Sequence, residues 1–294
     1  VMHHRAGQYY AAQEKDLLKA GLHFERAGEK VQAASVATSD IRSIINQGQA
    51  RVFLRLIERF SQGEIGADLW ARVCFTRGQL YALLGEGQLA RESYAQALQQ
   101  THQMPPSPEQ EAIEAGIHLG MGEMLQLEDP QQARDWLQRG LVKLKDGNPL
   151  KAALQIKLGY IDIHLGNYAL ALDALQQGLA HLPEGPSPLR SNALSNLSVV
   201  HYLSGHMQES QRFIEEALEI SQELDDDFET ASNLINLGIL KYSGGDWQAA
   251  ILDFQRALTI ADSLGSLSLR VSVSINLGAA YSNLGVDQAA GYHL

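Results

Sequence analysis

The sequence predicts an all-α solenoid of stacked helical hairpins with a period of about 40 residues. Three observations predict it. A small residue followed seven positions later by glycine recurs at Ser198/Gly205, Gly238/Gly245 and Gly278/Gly285, each pair 40 residues after the last. Hydrophobic residues make up 45% of the chain and aromatic ones only 7%, and Ala, Leu and Gln recur throughout, which favours helices over sheets. Proline is confined to short stretches, where it suits a first helical turn or a connector but not a helix interior.

Taken along the chain, residues 1–66 read as a leading helical region. Leu22-His23-Phe24, Gly28 and Ala33-Ala34 outline a degenerate hairpin, and residues 49–60 an amphipathic helix with Arg51, Arg55 and Arg59 on one stripe. Residues 67–294 read as six hairpins, the last incomplete. Their landmarks are Gly78, Tyr81, Gly85, Ala90, Tyr94 and Ala97; then Gly120, Ala133, Leu137 and Gly140; then Gly159, Gly166, Ala171, Leu175 and Gly178; then the three registers already given, with Ala217, Ala250, Ala257 and Ala290 among them. Pro105, Pro106 and Pro108, and again Pro186 and Pro188, separate hairpins; Pro130 and Pro149 fit the same role. The period is accommodated by longer helices or by inter-repeat loops such as residues 224–227.

This arrangement resembles the tetratricopeptide repeat. The resemblance implies a right-handed superhelix in which small residues at the eighth and twentieth positions let the two helices of a hairpin approach closely, so that leucine at Gly238 or Ala250 overpacks the seam. The leading region adds a second resemblance. His3-His4-Arg5-Ala6, Tyr9-Tyr10, residues 22–29, Ala33-Ala34, the Ile44–Gln49 turn and residues 54–59 look like the helical region of MalT-like STAND-class signalling ATPases and LuxR-type transcription activators. In those proteins the superhelix is a sensor arm that binds an inducer or partner and relieves autoinhibition of the ATPase. The chain departs from them in having no G-x-x-x-x-G-K-[ST] phosphate loop and no DNA-reading helix with basic flanks. Starting at Val1 and ending at Leu294 inside an unfinished helix pattern, it is expected to be a piece of a longer polypeptide, in contact with an upstream ATPase module of the same chain.

Charge and composition narrow the function. The net charge is −11, with 16 basic and 18 acidic residues in 1–147 against 7 and 16 in 148–294. An acidic surface repels a phosphate backbone, so direct nucleic-acid binding is not expected. A single cysteine, Cys74, excludes a disulfide framework and a multi-thiolate metal site. No apolar run reaches the roughly 20 residues of a membrane span, and a cytoplasmic location is expected. No histidine spacing matches a metal motif, no nucleophile and base sit at useful spacing, and neither enzymatic activity nor a cofactor is expected. Gly116, Gly120 and Gly122 lie in a helix with no strand before them and so are no dinucleotide fingerprint.

Candidate ligand contacts come from the first helix of each hairpin, whose inner face lines the groove where tetratricopeptide proteins bind peptides. The sixth position is Asn196, Asn236 and Asn276 in three successive registers. Asparagine within a helix is disfavoured relative to alanine by up to about 0.7 kcal/mol, so three in register want a cause. A carboxamide donates and accepts at once, which suits an extended peptide backbone; bonding to a neighbouring repeat or to water is the equal alternative. Asn192 joins them at the second position. Tyr202 and Tyr242 at the twelfth, Tyr160 at the ninth and Ile156, Ile235 and Ile275 at the fifth make an apolar floor edged by hydroxyls, with core burial favoured for the isoleucines. Eight acids between Glu215 and Glu229 are read as a solvated helix and loop before a docking patch for a basic partner. The expected ligand is a peptide or protein segment, or a small-molecule inducer. The competing expectation is a structural oligomerisation or intramolecular docking scaffold without a diffusible ligand.

Overall fold

A computed structural model describes residues 1–40, 50–144 and 148–285. The expected turn at Ile44–Gln49 and the landmarks Ala290 and Leu294 lie outside the described residues. Among those described there are sixteen α-helices and no strand, and the chain divides into two compact units, residues 1–146 and 147–294.

In the first unit, α1 (Met2–Tyr9) runs into a short π-helical segment (Tyr10–Glu14). It is followed by α2 (Leu17–Arg26), α3 (Lys30–Ala37), α4 (Ala50–Ile57) and the single turn α5 (Gln62–Ile65). Two long hairpins complete it, α6 (Ala67–Leu83) with α7 (Gly87–Thr101) and α8 (Pro108–Leu125) with α9 (Pro130–Lys143). The second unit holds α10 (Leu150–His164) with α11 (Tyr168–Ala180), α12 (Pro188–Leu203) with α13 (Met207–Glu223), α14 (Asp227–Ser243) with α15 (Trp247–Leu264), and α16 (Leu267–Asn283). Within each unit the two helices of a long hairpin pack most closely on each other, and the first helices of successive hairpins also touch.

Local chemistry sets the helix limits. Ser107, Asp129, Ser187, Asp226, Asp246 and Ser266 each accept a hydrogen bond from the main-chain N–H three residues on, satisfying one of the orphan donors of the first turn. Pro108, Pro130 and Pro188 open the helices they begin, where a missing N–H costs nothing. At the other end, Gly205 and Gly245 take φ of 82° and 85°, a left-handed turn that lets His206 N–H reach the His201 carbonyl at 2.8 Å and Asp246 N–H the Lys241 carbonyl at 3.0 Å. The second glycine of each landmark pair is therefore the turn between the two helices.

The first member of each pair is the seam. A Cβ built on Gly78 would lie 2.5 Å from Tyr94 Cδ1, on Gly159 2.5 Å from Leu175 Cγ, and on Gly238 2.4 Å from Phe254 Cε1. In all three the large side chain comes from the partner helix and fills the space a side chain would take. Where the pair is Ser198 and Ser210, the two hydroxyls share a buried 3.0 Å hydrogen bond.

The 40-residue period comes from helix length, since α13 and α14 have 17 residues each and α15 has 18. The stretch Leu224–Asp227, expected as a long loop, is short: α13 runs to Glu223 and α14 starts at Asp227. In the first unit the core of the leading region joins Phe24, Ala33 and Ala34 to Phe53, Leu56 and Ile57 of α4 and to Leu69 and Val73 of α6. In the second, Phe254, Leu234, Leu237 and Leu277 belong to one continuous core.

Candidate functional site

The first helices of the second unit carry partly exposed residues at a repeating i, i+4, i+7 spacing, flanked by buried ones. They are Ala153, Lys157 and Tyr160 on α10; Asn192, Asn196 and Val199 on α12; and Ser232, Asn236 and Ile239 on α14, with Asn276 and Ala279 continuing on α16. Such spacing marks one face of a helix, so these positions form one line of accessible groups, while residues such as Leu194, Leu197, Leu234 and Leu237 turn into the core.

The three asparagines in register behave differently. Asn236 Nδ2 donates to Ser195 Oγ on α12 at 3.2 Å, tying one repeat to the last. Asn196 Nδ2 donates to Asn192 Oδ1 within its own helix at 3.0 Å, which aligns two carboxamides side by side. Asn276 Nδ2 donates to the Ser272 carbonyl at 2.9 Å. A fourth asparagine, Asn233, is wholly buried and donates to Ser191 Oγ, the Ala217 carbonyl and Ser221 Oγ at 3.2–3.3 Å. Sequence reasoning missed it, because nothing in the residue type separates an asparagine that bonds between repeats from one that faces outward.

The tyrosines divide in the same way. Tyr202 Oη and Ser243 Oγ are 2.8 Å apart, and Asn283 Nδ2 donates to Tyr242 Oη at 2.6 Å. Each bond joins a tyrosine to the residue 41 positions later, so both hydroxyls engage the next repeat while the rings pack on the core. Tyr160 lies in an edge-on contact with His164, ring centroids 4.5 Å apart, and the Lys157 ammonium sits 5.2 Å from its ring centroid. Burial pushes the Tyr160 phenol above its ordinary value.

Ile235, named for the groove floor with core burial favoured, is 6% exposed and belongs to the core, because the fifth position lies about a quarter turn away from the accessible line. Ile156 is buried likewise, whereas Ile275, on the last described helix, stands 58% exposed.

Charge enters from residues whose type alone did not mark them. Burial, then Asp226, raise the Glu229 carboxyl above its ordinary value, and Lys157 lowers it in part. Lys157 of α10 is thus near enough to Glu229 of α14 to favour its charged form. Lys157 stands in the register that the asparagines occupy one period on, and the slip of one residue upstream concealed it. Among the described residues no group of three or more His, Cys, Asp or Glu side chains is placed to hold a metal ion, and no helix is long and apolar enough to cross a membrane.

A tetratricopeptide-repeat family profile matches residues 189–263, and a second matches residues 71–100. The chain carries tetratricopeptide repeats. The two matches fall on α12–α15 in the second unit and on the α6/α7 hairpin in the first. No curated protein sequence matches the chain. Among solved structures, it is similar to the STAND signal transduction ATPase with a tetratricopeptide repeat sensor from Pyrococcus horikoshii, at 12% identity and a TM-score of 0.70, over 99% of this chain and 45% of that one. It is similar to a Rap protein complexed with competence and sporulation factor, at 15% identity and a TM-score of 0.67, over 88% and 74%. It is also similar to BtubC from P. vanneervenii, at 22% identity and a TM-score of 0.59, over 69% and 86%. At these identities the likeness is one of fold. Tetratricopeptide repeats present extended surfaces that bind peptides and proteins.

Proposed function

We propose that the chain is the peptide- or protein-binding arm of a larger signalling protein and that the accessible line along α10, α12 and α14 is its recognition face. The observation that carries this reading is the Asn192–Asn196 pair beside Lys157, Tyr160 and Glu229. These polar groups are partly exposed and lie on three successive first helices, and the Asn192–Asn196 bond stays within one helix. A carboxamide pair grips an extended backbone through one donor and one acceptor, while Lys157 and Glu229 offer opposite charges to the peptide's side chains.

In this reading Asn236, Tyr202 and Tyr242 set the spacing between repeats, and Asn276 continues the line on α16. The leading region 1–66 and the regular repeats from 67 onward form the sensor arm, attached to an upstream ATPase in a cytoplasmic STAND-class, MalT-like regulator of transcription. The likeness to a STAND ATPase with a tetratricopeptide repeat sensor supports that parentage, and the likeness to a Rap protein bound to a signalling factor supports the choice of a peptide over a small-molecule inducer. No residue of the face acts as a catalyst; ligand occupancy works by favouring one arrangement of the repeats over another.

Selection of a displayed random-peptide library on the whole chain, followed by titration of the enriched peptides, tests the proposal. Asn192→Ala with Asn196→Ala is expected to weaken those peptides about tenfold or more, at about 1 kcal/mol for each hydrogen bond lost, with unfolding unchanged. Enriched peptides that bind the double variant as tightly as the parent would remove this face from the mechanism.

A further inference from the structure

The first unit contains a cleft that the recognition face does not use. Between the second helices α7 and α9, with α8 as floor, lie two adjoining depressions of about 550 and 340 Å³ that share Leu98, His102 and Trp136. Each volume lies within the range of small-molecule pockets, roughly 300–1,000 Å³.

The walls are apolar and the floor is not satisfied. The half-buried Trp136 indole forms one side, with its ring centroid 5.4 Å from that of His118. Val142, at the rim, is 88% exposed. His118 is only 3% exposed, yet neither of its ring nitrogens makes a hydrogen bond, although the Trp136 main chain lies close enough to favour the charged ring slightly. Burial, then the nearby Lys143, push this imidazole below its ordinary value and favour the neutral ring, whose one donor and one acceptor lie just beneath the cleft surface. A buried polar ring without partners is costly, and most such groups in folded proteins find one.

The rim supplies charge of both signs, Asp135 being engaged by the Gln131 amide at 3.4 Å. The Arg139 guanidinium lies 5.9 Å from the Trp136 ring centroid and makes no ion pair among the described residues. Lys143 is already engaged, 3.0 Å from the buried Glu114, which also accepts a 3.1 Å hydrogen bond from Thr101. Arg139 is thus the cation left for a ligand, stacked where a flat anion bound against the indole would meet it.

We propose that this cleft binds a small aromatic carboxylic acid, its ring system against Trp136 and Leu98, its carboxylate on Arg139, and a hydroxyl or N–H at the opposite end hydrogen-bonded to His118. The site belongs to the first unit and the peptide face to the second, and it stands or falls independently of that reading. It makes the arm responsive to a diffusible aromatic acid that bridges Leu98 of α7 and Trp136 of α9.

The probe is 6-hydroxy-2-naphthoate, whose fluorescence reports its own binding when titrated into the whole chain, with 2-naphthoate as the compound lacking the hydroxyl. The expected result is saturable binding, weakened about tenfold or more by Arg139→Gln, as for loss of a charged hydrogen bond. His118→Phe is expected to remove the preference for the hydroxylated compound while leaving 2-naphthoate binding intact, a pattern that simple unfolding of the site does not produce. Asn196→Ala serves as the control and should leave both compounds unaffected. Absence of saturable binding by the parent chain overturns the proposal. So does equal binding by Arg139→Gln, an unchanged hydroxyl preference in His118→Phe, or capture of a tryptophan-containing acidic peptide in place of either naphthoate.

Discussion

Phe254 lies so closely against Gly238 that a Cβ on the glycine would stand 2.4 Å from Cε1 and 2.7 Å from Cδ1 of the ring. The contact joins α14 to α15 at the middle of their seam, and both partners are rigid, a helix backbone on one side and a buried ring on the other. Gly238→Ala adds about 1 kcal/mol of helix propensity, but the clash forces the ring or the helix to move, at about 1–3 kcal/mol. A net loss of about 1 kcal/mol is expected by urea denaturation. Repeating the substitution in a Phe254→Leu background should shrink that loss, and a loss of the same size there would place the strain elsewhere.

Ile235 and Ile275 share a register position but differ in burial, at 6% and 58% exposed. Ile235→Ala is therefore expected to cost about 2–4 kcal/mol, and Ile275→Ala no more than about 0.5 kcal/mol. Equal losses in chemical denaturation would show that the exposed side of α16 is covered in solution.

The Tyr202–Ser243 bond is a link between repeats that a double-mutant cycle isolates. Tyr202→Phe keeps the ring on the core and removes only the hydroxyl, at about 0.5–1 kcal/mol given its exposure. Ser243→Ala should cost about the same, and the double variant no more than either alone. Full additivity would mean that the bond contributes nothing.

Glu229 predicts a pH dependence. Its carboxyl is raised above the ordinary glutamate value in the folded state by burial and by Asp226, so the folded chain holds a proton that the unfolded chain has released. Its contribution to stability therefore falls as pH rises from the ordinary value through the raised one, and the penalty is complete above it. Glu229→Gln is expected to raise the melting temperature at pH 7 and to lose that advantage on acidification to about pH 4, the ordinary glutamate range. A variant less stable than the parent at pH 7 would show that the attraction of Lys157 outweighs burial.

Much of the architecture was legible because hairpin packing is local. Gly238 and Phe254, or Gly159 and Leu175, are sixteen residues apart within one hairpin, and the close approach of two helices demands a small residue opposite a large one whatever lies beyond them. The glycines with positive φ, Gly205 and Gly245, were legible for the same reason. The face was less so. Asn196, Asn236 and Asn276 look equivalent in the string, but Asn236 reaches back to Ser195 whereas Asn196 bonds within its own helix. Ile235 stood between groove floor and core because register alone does not say how far one hairpin is rotated against the next. The cleft beside Trp136 had no signal at all, since its lining comes from α7, α8 and α9 and no one of them carries a pattern.

The amino-acid order by itself determined that helices form, where they start and stop, and which residues meet inside a hairpin, because caps, turns and seam contacts act over a few to some sixteen positions. Only the tertiary structure decided which polar side chains tie repeats together and which remain available, as with Tyr202 held by Ser243 and Asn192 left beside Asn196. The ties between repeats, such as Tyr202 to Ser243, span about forty residues, and they depend on the angle between stacked hairpins, which is set by the summed packing of whole helices.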